Sequence, residues 1–64
     1  MKYVMHKATG DIGLADLPDW LNFDEKPFRS FDVRWENRSG GLTRTSTQVT
    51  VLITKEVADI IRGV

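Results

Sequence analysis

Phe28-Arg29-Ser30-Phe31-Asp32-Val33-Arg34-Trp35-Glu36 alternates apolar and polar side chains. Phe31, Val33 and Trp35 fall on one face and Ser30, Asp32, Arg34 and Glu36 on the other, the period-two pattern of a strand with one buried face. The next residues, Asn37-Arg38-Ser39-Gly40-Gly41, supply hairpin turn formers. A return strand is expected from Leu42 to Ile53. With Glu36 paired to Leu42, Trp35 faces Thr43, Val33 faces Thr45 and Phe31 faces Thr47, which sets β-branched methyls against aromatic rings. The same register puts Arg34 directly opposite Arg44.

Beyond this hairpin, Thr54 is placed to cap a helix over Lys55 to Val64, and Val57, Ile60, Ile61 and Val64 recur at i, i+3, i+4 and i+7. A helix of this length is marginal alone in water, so its apolar stripe is expected to dock on the sheet. Toward the N-terminus, residues 2–8 read as a strand that stops at the turn cluster Thr9-Gly10-Asp11, and Ile12-Gly13-Leu14-Ala15 reads as a short strand returning from it. Residues 16–27 have no sustained period. Pro18 suits the first turn of a short helix around 18–23, and Pro27 drives Lys26 out of helical geometry. The expected architecture is a small α+β domain over residues 1–64, a three- to four-stranded mostly antiparallel sheet with one C-terminal helix packed on one face.

Sixty-four residues suffice for one core and not for two domains. Domains this short often lean on disulfides, metals or self-association. The chain has no cysteine, which removes disulfides and thiolate metal sites and leaves a homodimer as the expected aid. Met1 to Lys7 lacks the apolar run of a secretory leader, and no stretch approaches the ~20 apolar residues that span a bilayer, so a cytoplasmic protein without a membrane role is expected.

Nine basic and nine acidic residues cancel, which removes the long-range field on which non-specific nucleic-acid binding relies. Catalytic constellations fail in turn. The single histidine, His6, sits in a strand with no nucleophile at a triad spacing, and one histidine among scattered carboxylates does not make a zinc site. The acids Asp11, Asp16, Asp19, Asp24 and Glu25 do not follow the spacing of a calcium loop. Neither glycine pair fits a phosphate-loop pattern. No catalytic residue, metal or cofactor is therefore assigned.

Two surface features remain. In the segment 16–25, Leu17, Trp20, Leu21 and Phe23 are interleaved with acids, a composition suited to an interface because Trp is enriched at binding hot spots. The chain is accordingly read as a small non-enzymatic protein-binding module, an inhibitor or accessory subunit of a larger protein. Its contact set is Asp16, Asp19, Trp20, Phe23, Asp24 and Glu25, with Trp20 either an anchor or a lid on the core. The alternative is a nucleic-acid-binding protein using a basic patch of Arg34, Arg38 and Arg44 on the 28–53 hairpin.

Overall fold

The alternating stretch forms β3 (Ser30–Trp35), with Phe31, Val33 and Trp35 buried and the residues between them exposed. It belongs to a computed structural model that describes every residue from Met1 to Val64. Before it come β1 (Lys2–His6) and β2 (Ile12–Ala15); after it come β4 (Thr43–Ser46), a single 3₁₀ turn (Thr47–Val49), β5 (Thr50–Ile53) and α1 (Lys55–Arg62). The strands lie in the order β4-β3-β2-β1-β5, every neighbouring pair antiparallel.

This order forces curvature. A flat sheet of five strands would hold its edge strands ~19 Å apart, four spacings of about 4.8 Å. The chain from Ser46 to Thr50 covers at most ~14 Å even when fully extended, and a 3₁₀ turn occupies that stretch. The sheet therefore curls until its edges approach. Its concave side holds the core of Val4, Ala15, Leu17, Phe31, Val33 and Trp35, against which Leu21 and Phe23 pack.

The sheet has five strands where three or four were expected, because the anticipated return strand from Leu42 to Ile53 is broken in the middle. At the break, hydroxyl groups take over from the ladder. The Ser46 hydroxyl accepts from the Gln48 amide at 3.1 Å, and the Thr50 hydroxyl donates to the Ser46 carbonyl at 3.0 Å. Thr47 and Thr50 are each only 1% exposed. The hairpin register also differs by two residues: Phe31 pairs with Thr45, Val33 with Thr43 and Asp32 with Arg44. An even shift preserves the faces, so the aromatic and β-branched side chains still share the core side. The charges change partners, however. Arg44 stands opposite Asp32 and forms an ion pair with it at 3.4 Å, while Arg34 lies across from Leu14. The slip arises because the chain already turns at Trp35, whose carbonyl accepts from the Arg38 amide at 3.3 Å, so the connection is longer than five residues and the ladder with β4 begins at Val33 and Thr43.

Residues 16–29 cross the open side of the curl without a helix; the expected helical turn at 18–23 is replaced by turns. The Leu21 amide donates to the Pro18 carbonyl at 3.2 Å, and the Asn22 side chain accepts from the Asp24 amide at 2.9 Å. Asn in this position competes with helix by bonding its own backbone.

Helix α1 is capped as anticipated, the Thr54 hydroxyl accepting from the Val57 amide at 3.1 Å. It ends at Gly63 with φ 79°, where the Val64 amide bonds to the Asp59 carbonyl in a Schellman closure. It does not dock by the predicted stripe. Ala58 is its one buried residue, whereas Ile60 is 75% and Val64 is 91% exposed, and Val57 and Ile61 are also exposed. The Arg62 guanidinium lies 5.0 Å from the Tyr3 ring centre. Tyr3 points away from the core face that Val4 occupies, so α1 lies on the convex side of the sheet. Ala58 lets the helix approach closely there, and the bulkier residues lie ~60–160° around the helix from it, Ile60 farthest.

Gly13 marks the tightest place in the core. A β-carbon there would fall inside contact distance of Val33 Cγ1 and 3.0 Å from Trp35 Cε3, and both neighbours are buried. Gly13→Ala is expected to destabilise the fold by ~1–3 kcal/mol through overpacking, seen as a lower midpoint in thermal denaturation. Adding Val33→Ala should recover part of that loss, so that the double variant is more stable than the sum of the single effects; strict additivity would show that the two side chains do not collide.

Candidate functional site

The crossing segment sorts its residues by side. Leu17 is buried, Leu21 and Phe23 are half-buried, and the Phe23 ring meets Phe31 edge to face at 5.5 Å. These three fasten the segment to the core. Between them, Trp20 is 69% exposed. A tryptophan held outward by apolar neighbours on both sides is fixed in place without being consumed by the core.

Trp20 and Leu21 stand on a ridge between two shallow grooves. The first, about 470 Å³, has Leu17 and Phe31 at its floor and Arg29, Ser30 and Arg44 on its far wall. The second runs between the segment and β5 and is bordered by Asp19, Asp24, Thr50 and Leu52. Asp16 lies on the first groove and Asp24 on the second, so the tryptophan has acids on either hand. Both grooves are open surfaces and neither encloses a small molecule.

The electrostatics of the ridge are local. Asp19 bonds Lys2 Nζ at 2.7 Å, and that hydrogen bond, with the lysine charge behind it, holds its carboxyl below the usual aspartate range. The Arg29 guanidinium sits 5.4 Å from the Trp20 ring centre. Arg29 was not singled out in the sequence; its position directly before the alternating strand was the available signal. Asp16, Asp24 and Glu25 are exposed, and no salt bridge to any of them is formed.

The basic residues of the alternative reading do not form the facing pair expected of them. Arg44 is tied to Asp32. Arg38 and Arg44 border a separate groove between β4 and the β1–β2 turn, together with His6, Asp11 and Trp35. There the His6 ring meets Trp35 edge to face at 5.9 Å, and its Nδ1 accepts from the Ala8 amide at 3.2 Å. Both contacts bind the histidine into the end of the core. No three His, Asp or Glu side chains converge as metal ligands would, and no helix is long and apolar enough to cross a membrane.

Compared with protein-family models, with curated proteins and with solved structures, the chain matches none.

Proposed function

We propose that the chain is a small non-enzymatic binding module of the cytoplasm, which docks on a larger protein through the ridge at residues 16–25 in the manner of an inhibitor or accessory subunit. The observation that carries this reading is the exposure of Trp20 on a segment whose other large apolar residues are turned inward. A rigidly mounted, exposed aromatic ring is the usual anchor of a protein interface, since it buries a large area at little entropic cost. Asp16, Asp19, Asp24 and Glu25 surround it and would steer it toward a basic surface, acting mainly on the association rate. Phe23 serves from beneath, by fixing the segment on Phe31.

The second reading, nucleic-acid binding, is favoured by one feature: Arg29 and Arg44 share a groove with Trp20, and cations beside an exposed aromatic suit a single strand. Zero net charge and the Arg44–Asp32 pair weigh against it.

Trp20→Ala is expected to leave stability within ~1 kcal/mol, since it removes exposed surface and one exposed cation–π contact. It should nonetheless weaken binding to the partner by ~2 kcal/mol, about 30-fold. Phe23→Ala should do the reverse first, lowering stability by about 2 kcal/mol or more. Paired measurements of chemical denaturation and of partner retention on the immobilised domain separate the two. If Trp20→Ala and charge reversal at Asp19, Asp24 and Glu25 all retain the same partner as the wild type, the ridge is not the interface.

For the second reading, titration with single-stranded DNA is decisive. Phosphate contacts by Arg34, Arg38 and Arg44 would give an affinity falling roughly 2 log units per tenfold rise in salt. Weak binding at physiological salt is expected instead. Submicromolar affinity that disappears when the three arginines are changed to alanine would displace the protein-binding reading.

A further inference from the structure

Strand β3 directs its backbone bonds to alternate sides. The Thr47 amide donates to the Arg29 carbonyl, so in this register Arg29, Phe31 and Val33 hold their partners on the β4 side. The amides and carbonyls of Ser30 and Asp32 therefore point the other way, toward β2. There the ladder stops early. Strand β2 pairs with β3 only at Gly13 and Leu14, opposite Trp35 and Arg34. Two residues further along, Asp16 would stand opposite Asp32, and no backbone bond joins them. Two side-chain bonds reach this stretch, at the Arg29 amide and the Asp32 carboxylate, and neither takes a Ser30 or Asp32 backbone group.

Four backbone groups on β3 thus face a wedge between the diverging strands. The wedge opens into a groove of about 350 Å³, with Leu14 and Asp16 on one bank, Ser30 and Asp32 on the other and the buried Phe31 beneath. Asp16, Ser30, Phe31 and Arg44 also border the groove beside Trp20, so the two grooves meet at the wedge.

From this we infer that the wedge receives an extended segment of the partner protein, which pairs with Ser30 and Asp32 as an added strand. The inference rests on the docking reading above and names what docks there: a short stretch in strand conformation, running from the Trp20 groove across the wedge. Ser30 and Asp32 lie ~7 Å apart along β3, the two-residue repeat at which a neighbouring strand presents its own amides and carbonyls. A helix has none to offer, since its backbone groups bond within it. Alternation also sets the side chains. The partner residue opposite Phe31 turns to the core side, where Leu17 and Phe31 line the groove, and is apolar. Its neighbours turn to the convex side beside Asp16, which has no ion-pair partner, whereas Arg44 is held by Asp32. A basic side chain fits that position.

Random linear peptides displayed on phage and selected on the immobilised domain supply the probe. An enriched peptide, synthesised and titrated into the domain, should shield the Ser30 and Asp32 amides from exchange with solvent. Ser30→Pro removes one of these donors and sets a ring in the wedge without breaking a bond to β4, and proline is tolerated at the first residue of a strand. The variant should unfold near the wild-type midpoint and bind the peptide about tenfold or more weakly. A peptide weakened by Trp20→Ala but not by Ser30→Pro, with both amides still exchanging, overturns the wedge and leaves the ridge standing. One weakened by Ser30→Pro and not by Trp20→Ala upholds the wedge and counts against the ridge. Selection that enriches no peptide overturns the inference as well. Should Ser30→Pro prove unfolded, exchange in the wild type decides, and two amides that the peptide leaves unprotected overturn it equally.

Discussion

Thr47 is bound twice to Arg29: its amide donates to the Arg29 carbonyl at 2.8 Å, and its hydroxyl accepts from the Arg29 amide at 3.0 Å. The chain just before β3 and the turn just after β4 are thereby locked together. Two residues later Val49 accepts from the Lys7 amide at 2.9 Å, so the same turn also holds the end of β1. Because these bonds fix the passage between opposite sheet edges within a single turn, the sheet has to close. Closure in turn makes a concave side small enough for Val4, Val33 and Trp35 to fill. It also explains the demand for glycine at position 13, where the Val33 and Trp35 side chains fill the space a β-carbon would need.

A curl of so few short strands leaves a gap on one side, and the segment 16–29 covers it. Its lack of period follows from that duty. A helix would present one continuous apolar stripe, but the rim offers separate footholds, taken by Leu17, Leu21 and Phe23 in succession. Residues between footholds have no inward place to go, which puts Trp20 outside. The exposed ring is thus a geometric consequence of how the gap is closed, and it occupies a position where its side chain costs the fold little. Such positions are where a binding residue can be carried without loss of stability.

Period-two alternation made β3 legible, the turn clusters bounded β1 and β2, and Thr54 announced the helix start. Each of these signals is local. What was not legible depended on distant contacts. The stretch from Thr43 to Ile53 has uniform strand character, and nothing in its periodicity says that the chain turns away once Thr47, still opposite Arg29 in the β4 register, has made its bonds. The hairpin register differs by two residues because the turn starts at Trp35, inside the alternating stretch, where the period-two pattern gives no sign of it. In α1 the four large apolar residues outweighed a single alanine in the pattern, although closeness of approach, which favours Ala58, decided which flank met the sheet. At the candidate site, composition identified the segment 16–25. Only its path over the rim separated Trp20, facing out, from Phe23, facing Phe31.

Strand β5 has a part in both faces of the sheet. Its residues Thr50 and Leu52, paired with His6 and Val4, lie on the core side, and both line the groove beside Trp20. Val51 and Ile53 alternate to the convex side, where α1 packs. Leu52 is 43% exposed although its strand partner Val4 is fully buried, because the curl fills its concave side at the centre and not at its rim. The apolar surface at that rim is therefore drawn from two stretches far apart in the chain, the segment 16–25 and β5, and the composition of the first alone could not reveal the second.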